Sequence, residues 1–442
     1  MARIERTILG IFGRINAGKS TCMNLLTQQE TSLVDPQPGT TADIKSTLLE
    51  IHALGPCQVL DTAGLDEESH LGEKKRRKTL AALEEVDLAV LVIDPVQALL
   101  SEELSVEDSV ATLGRKLGKP VAVVFNRHRD DPDRLAGTGA SVEQARRFCL
   151  SVLPEAGATP ILDLDLTDTA RSAELAAFVA AAVGRTREQT PLLPMVDRHG
   201  AVVLHIPMDE ETPSGRLLRP QEMAMEALLR AGVPVGLYRV DLALARSDNP
   251  ALVQQQRQGF TDFLASFDRC GGVQLVLTDS QAIDIMDPWV PPQIPLTTFS
   301  IMMVNQTACG DMSVFVEGTR ALDRLRAGDR VLVAEACNHD RIAEDIGTVQ
   351  LPRKLAEVVP GVQFDHAFGR EFPDADDLQR YAVAIHCGGC MIRPQKLSAR
   401  VLRLREAGVP VTNYGLALSW YEGRRTLGRV LAPWPGLPAW DG

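Results

Sequence analysis

The stretch "GRINAGKS", Gly13 to Ser20, decides how the first part of this 442-residue chain is read. It fits the pattern G-x-x-x-x-G-K-[ST]. The apolar run TILGIFG precedes it and the helix-like STCMNLL follows, which is the context that pattern requires. In that setting the loop from Gly13 through Asn16, Ala17 and Gly18 to Thr21 turns backbone N–H groups toward phosphates, helped by the helix N-terminus. Lys19 would reach the β- and γ-phosphates, and Ser20 would bind Mg²⁺. Two further parts follow in order. Thr40 and Thr41 lie in "PGTTAD", and "DTAG" (Asp61 to Gly64) ends a second apolar run. Asp61 is placed for the Mg²⁺ shell, and the Gly64 N–H for a γ-phosphate.

Outward from this loop, the runs TILGIFG, QVLDTAG, LAVLVIDP and PVAVVFNR are short, continuous and rich in Val, Leu and Ile. Strands buried on both faces read that way. Helical patterns between them predict a parallel sheet. The Ala-rich SAELAAFVAAAVG closes this unit, and "RTREQTPLLP" reads as a linker. AVVLHIP and VQLVLTD, with the helix-like RPQEMAMEALLRAG between them, form a second α/β unit. The four prolines of "DPWVPPQIP" (Asp287 to Pro295) then predict a break in regular structure. VLVAEA, YAVAIH and a helix followed by a short strand in "SARVLRLREAGVPVTNYG" make a third unit. The expected class is therefore α/β: a P-loop nucleotide domain over 1–187, then two smaller α/β domains with mainly parallel sheets, over 195–293 and 294–442.

Composition narrows the function classes. Apolar content of 45% and charged content of 24% are those of a globular protein. The net charge of −12 argues against a chain that coats nucleic acid. The basic run "GEKKRRK" (Gly72 to Lys78) reads as a solvated helix start. No apolar stretch reaches the ~18 residues of a membrane span, and MARIERT has no long apolar region behind its charges. The cytoplasm is the expected compartment. Of eight cysteines, Cys22, Cys57, Cys149, Cys270 and Cys309 stand singly and are expected to be small buried hydrophobes.

The other three cysteines form a pattern. "VLVAEACNH" ends in Cys337 and His339, and "YAVAIHCGGC" in His386, Cys387 and Cys390. If those two runs are neighbours in a parallel sheet, both groups leave its carboxyl end, where α/β sheets place their sites. The glycines 388 and 389 would let the chain turn tightly between ligands. A lone CxxC could be a redox pair, but that kind should run directly into a helix, whereas Pro394 follows within a few residues here. Two chemistries remain open: zinc on Cys₃His, or three thiolates with an exchangeable fourth ligand holding a [4Fe–4S] cluster, with His339 and His386 as fourth-ligand candidates.

The phosphate loop, the G-T-T triplet and DTAG, in that order, resemble the TrmE–Era group of GTPases. That resemblance implies GTP hydrolysis. It also implies a role for Asn16 in holding K⁺ beside the phosphates, Thr41 as a Mg²⁺-side residue, and an apolar Leu65 where Ras-like proteins carry a catalytic Gln. The guanine-reading motif is altered to "NRHRDD": Asn126 fits, Arg127 replaces Lys, and Asp130 stands one residue late. C-x-H, then 46 residues, then H-C-x-x-C resembles the cluster motif of the HydF family of [FeFe]-hydrogenase maturation GTPases. "DTAGLDEESHLGEKKRRKTL", "IPMDEETPSGRLLRPQ", "LVLTDSQA", "IPLTTFSI", "DIGTVQLPRKL" and "GVPVTNYGLALS" resemble that family as well. The family resemblance implies a GTPase domain, a middle dimerisation domain and a C-terminal cluster domain that contributes to tetramers. It further implies Cys337, Cys387 and Cys390 as [4Fe–4S] ligands and a transient diiron precursor as cargo. The radical-SAM maturases HydE and HydG and the apo-hydrogenase HydA are the implied partners, with neither membrane nor nucleic acid. The competing reading is a TrmE/Era-like GTPase of tRNA modification or ribosome assembly with a zinc-stabilised C-terminal domain.

Overall fold

The structure is a computed structural model that describes residues 6–27, 45–62, 82–127, 132–136, 138–151, 159–184, 191–194, 196–208, 217–308, 312–335, 345–369, 372–389, 394–437 and 440. The chain divides into two compact units, Met1–Gln189 and Thr190–Gly442.

The first unit is built on a six-stranded sheet. Its strands are β1 (Thr7–Phe12), β2 (Lys45–Ile51), β3 (Gly55–Asp61), β4 (Leu88–Ile93), β5 (Val121–Asn126) and β6 (Ile161–Leu164), in the order β2-β3-β1-β4-β5-β6. All neighbours are parallel except β2, which runs antiparallel to β3 with Lys45 opposite Asp61. The four apolar runs are β1, β3, β4 and β5, and β1, β4 and β5 are buried along their whole length. In β1, Leu9 and Ile11 belong to the core on one face of the sheet and Ile8 and Phe12 to the core on the other. Burial on both faces is why these strands carry no polar alternation. Cys22, Cys57 and Cys149 are buried as expected. Burial, with Glu107 nearby, pushes the Cys149 thiol up to about 12, so it is an inert core group.

The second unit holds two four-stranded parallel sheets. One contains β7 (Ala201–His205), β8 (Val235–Tyr238), β9 (Val273–Thr278) and β10 (Leu296–Thr298), in the order β10-β9-β7-β8. The other contains β11 (Arg330–Glu335), β12 (Gln363–Phe368), β13 (Val383–His386) and β14 (Val411–Asn413), in the order β12-β11-β13-β14. One apolar core runs through both, from Leu204 and Leu277 through Phe299 and Met302 to Leu332, Ala384 and Leu416. A boundary at 293/294 therefore falls inside a sheet: Leu296 to Thr298 lie beyond it and pair with Val276 to Thr278. The proline run breaks regular structure only from Val290: the helix Ile283–Trp289 includes Pro288 next to its end, where the missing N–H removes one hydrogen bond of the closing turn and the helix stops. Within that run the buried Asp287 accepts from Arg425 at 3.0 Å, Thr426 at 2.8 Å and Arg429 at 2.9 Å, and so anchors the helix Arg424–Leu431. Cys270 is exposed rather than buried, because it ends the short helical turn Asp268–Cys270 ahead of Gly271.

His205 ends β7, an inner strand of the first of these sheets. Its Nδ1 is 2.8 Å from Thr278 Oγ1, and its Nε2 accepts from the Val240 N–H at 3.4 Å. Burial pushes its pKa down to about 3. Among the described residues no helix is long and apolar enough to cross a membrane.

Candidate functional site

The phosphate loop follows β1 directly and feeds the helix Lys19–Thr27. Gly18 stands at φ +106°, and a Cβ there would lie 2.4 Å from Asn126 Nδ2. Only glycine fits that position. Asn16 is exposed at the tip of the loop with φ +63°. Ser20 is exposed, Thr21 half-buried and Ala17 buried. Lys19 is 8% exposed, and its ammonium donates to the carbonyls of Gly13 at 3.1 Å and Arg14 at 2.6 Å. The loop's own carbonyls thus hold the Lys19 ammonium in place. Asn126, at the end of β5, is 3% exposed and donates to the Ala17 carbonyl at 3.0 Å. Its Oδ1 is buried with no hydrogen-bond partner. A buried acceptor of this kind, beside a phosphate loop, suits a donor-bearing ligand. Thr62, next to Asp61, donates its hydroxyl to the Ile11 carbonyl at 2.6 Å and ties the end of β3 to β1. Thr41, Gly64, Leu65 and Asp130 lie outside the described residues, as does the basic run.

Sequence reasoning missed Arg14. This second residue of the loop is buried, and its Nε donates to both carboxylate oxygens of Glu107 at 3.1 Å. Its Nη1 donates to Ser101 Oγ at 3.0 Å, and its Nη2 to the Glu103 carbonyl. The loop is therefore clamped to the helix Ser105–Lys116. The partner stands 93 residues away, so no local pattern announces the pair.

At the other candidate site, β11 and β13 are hydrogen-bonded parallel neighbours, with Ala334 opposite His386. Cys387 follows β13 directly, is half-buried, and donates its N–H to the Ala334 carbonyl at 2.9 Å. Gly389 stands at φ +69°, a left-handed turn that glycine permits. A Cβ on Gly388 would lie 3.6 Å from Ser300 Oγ, so the turn passes over the first turn of the helix Phe299–Thr307. Cys337, His339 and Cys390 lie outside the described residues, and among the described ones no three His, Cys, Asp or Glu side chains form a metal-holding group. The helix after Cys390 begins at Pro394, earlier than the sequence suggested.

His386 is fully buried, with Nδ1 2.9 Å from the Cys387 carbonyl oxygen and Nε2 3.3 Å from Arg400 Nη1. Burial, and then the Arg400 charge, push its pKa down to about 3. Around the turn the sequence reading missed several buried polar groups. Tyr414 donates to Glu335 Oε1 at 3.1 Å, and Asp345 accepts from the Thr348 N–H and hydroxyl, both at 2.7 Å. Burial, followed by the nearby Cys387, Glu335 and Asp345, raises the Tyr414 pKa well above its usual value. Tyr414 is read from the sequence only as part of a helix-strand stretch, and no spacing rule singles it out.

Residues 192–307 match the model of the hydrogen maturase F dimerization domain, and residues 313–433 that of the hydrogen maturase F tetramerization domain. Residues 8–127 match the 50S ribosome-binding GTPase model. The chain belongs to the hydrogen maturase F (HydF) family. Its first unit is a GTPase domain, and the family's two association domains cover most of the second. Curated relatives match through the GTPase domain. The GTPase Der of Bartonella tribocorum is 36% identical over 137 residues, which is 30% of this chain and 27% of that protein. The GTPase Der of Nitratiruptor sp. is 30% identical over 125 residues, covering 28% and 26%. The chain thus spans about a quarter of the length of these relatives. Solved structures show a weaker likeness. Era of Aquifex aeolicus bound to GDP and AlF4⁻ is 22% identical, with 53% of this chain and 93% of that one covered and a TM-score of 0.30. A probable GTP-binding protein engB is 18% identical, covering 40% and 100%, with a TM-score of 0.30. The family assignment rests on the domain matches.

Proposed function

We propose that this chain is a GTP-hydrolysing scaffold that holds a [4Fe–4S] cluster and carries a diiron precursor to apo-[FeFe]-hydrogenase. The observation that carries the reading is strand order: β11 and β13 are adjacent and parallel, so the two cysteine-bearing segments leave neighbouring strand ends of one sheet. Cys337 stands two residues after β11 and Cys387 one residue after β13. Three thiolates from such positions suit a [4Fe–4S] cluster, and His386, engaged elsewhere, is not free to complete a closed zinc site with them. Cys337, Cys387 and Cys390 would hold the cluster, which when bound supplies an iron open to an exchangeable bridge.

In the GTPase domain, Lys19 would exchange its two carbonyl partners for phosphate oxygens, and Ser20, Thr41 and Asp61 would hold Mg²⁺. Asn16, exposed at the loop tip, is free to face K⁺ beside the phosphates. GTP would bias which surface the chain presents by binding one switch arrangement more tightly than another. Self-association fits the two family association domains. In the dimerization segment, β8 is an edge strand, and Leu229 and Leu237 are exposed. The partners on this reading are the maturases HydE and HydG and the hydrogenase HydA, in the cytoplasm.

The test is hydrogen evolution from apo-hydrogenase mixed with this protein after expression beside both radical-SAM maturases. Wild type should activate, and Cys387→Ser should not. Full activity from Cys387→Ser refutes the cluster role, and stoichiometric zinc without iron after anaerobic purification refutes the metal.

A further inference from the structure

The two hydrogen bonds of the His386 ring assign its lone pair. Nδ1 faces the Cys387 carbonyl oxygen at 2.9 Å, and a carbonyl can only accept, so Nδ1 carries the proton. Nε2 faces Arg400 Nη1 at 3.3 Å, and a guanidinium can only donate, so Nε2 accepts. Both partners select the same neutral tautomer. Neither nitrogen has a lone pair left for a metal. Arg400 is itself held firmly. It is 3% exposed on the helix Pro394–Glu406, donates from Nη2 to the Gly369 carbonyl, and lies 4.9 Å over the Phe372 ring. Gly369 in turn donates its N–H to the Glu335 carbonyl at 3.0 Å, at the end of β11.

Building on the cluster reading above, we propose that His386 is a positioning residue and not the cluster's fourth ligand. Arg400 orients the ring, and the ring fixes the Cys387 carbonyl. Both peptide groups that flank the Cys387 Cα are then anchored: its N–H by the Ala334 carbonyl at 2.9 Å, its C=O by His386. That anchoring matters because the residues after Cys387 are two glycines, which give the turn no stiffness of their own. The direction in which the Cys387 thiolate leaves β13 is set by this relay. Outer partners of this kind change metal retention when removed, commonly by 10- to 100-fold.

The relay makes a prediction that a ligand role does not. Arg400 cannot bind iron through its guanidinium, yet removing it should loosen the cluster, because the ring it orients then no longer fixes the Cys387 carbonyl. Wild type, His386→Asn, Arg400→Leu and Arg400→Lys are reconstituted anaerobically, checked for unchanged oligomeric state by light scattering, and challenged with a ferrous chelator. Asn can still donate to the Cys387 carbonyl, so His386→Asn should stay close to wild type. Arg400→Leu should release iron at least roughly tenfold faster, and Arg400→Lys, which keeps a donor, should fall between. In reduced protein carrying ¹⁵N-labelled histidine, pulsed EPR should show the same nitrogen couplings in wild type and His386→Asn. A coordinated-imidazole coupling that disappears in His386→Asn overturns the proposal, and so does wild-type iron release from Arg400→Leu. If Arg400→Leu fails the light-scattering check, Arg400→Lys and the EPR comparison decide the matter. A wild-type chain that takes up no iron overturns the cluster reading itself, and the positioning role with it.

Discussion

Asn126 offers the sharpest test of how the GTPase domain builds its phosphate loop. Its Nδ2 donates to the Ala17 carbonyl at 3.0 Å inside a buried contact, so β5 holds the loop from behind. Asn126→Ala removes that donor and leaves a buried carbonyl unsatisfied, at a cost of about 1–3 kcal/mol. It also deletes the partnerless Oδ1, which returns part of the cost. A net of about 1–2 kcal/mol corresponds to roughly five- to thirtyfold weaker binding, if binding requires the ordered loop. Asn126→Asp is nearly isosteric but sets a second oxygen against the Ala17 carbonyl, so it should bind at least several times more weakly than Asn126→Ala. The assay is calorimetric titration with GDP and with inorganic tripolyphosphate. An effect that acts through the loop weakens both ligands, whereas one confined to base contacts weakens GDP alone. Binding of tripolyphosphate within twofold of wild type in both variants, or equal binding by the two variants, would refute the reasoning.

Three further outcomes follow from other parts of the chain. The His205 pKa, about 3 when folded, lies below the unfolded value near 6.5, so below pH 6.5 the unfolded chain binds a proton that the folded chain refuses. The stability this group protects is whole above pH 6.5 and is lost as pH falls toward 3, with about 2 kcal/mol gone at pH 5; urea titrations at pH 7.5 and pH 5 should show His205→Gln losing less than wild type by about that amount, and parallel losses would count against it. Asp287→Ala should destabilise the second unit by about 3 kcal/mol, because it strips the buried partner from Arg429, while Asp287→Asn should cost less; a denaturation midpoint unchanged in Asp287→Ala would contradict this. Lys19→Ala should lower GTP turnover by at least roughly tenfold and leave iron loading intact, and Asn16→Ala should remove any preference for K⁺ over Na⁺; equal wild-type rates in the two salts would defeat the Asn16 role.

The parts legible in the sequence are those whose physics is local. The phosphate loop is one, because its glycines, lysine and serine act within eight residues of each other. The strands buried on both faces are another: TILGIF, LAVLVI and VAVVFN are continuous apolar runs because neither side meets water. The strands that escaped notice lie at sheet edges or are very short. β2 (KSTLLEI), β8 (VGLY) and β12 (QFDHAF) are edge strands, and β8 and β12 are only partly buried, so their residues mix polar with apolar. Three-residue β10 is too short to carry a period. Both cysteine groups were visible as strand ends, but their meeting was only a condition. Chain order alone would set β12 between β11 and β13. Instead the chain carries β12 to the outer edge and brings β13 against β11, and that choice depends on how crossover helices pack over a finished sheet. The same holds for the contacts that hold each site in shape. Arg14 and Glu107 stand 93 residues apart, Asp287 and Arg429 142 apart, and Arg400 reaches back 14 residues to His386. Residue types declare what chemistry a site can do. Which of them meet is decided only when strands take their order and the core closes around them, because the energy of a buried pair exists only after both partners have left water.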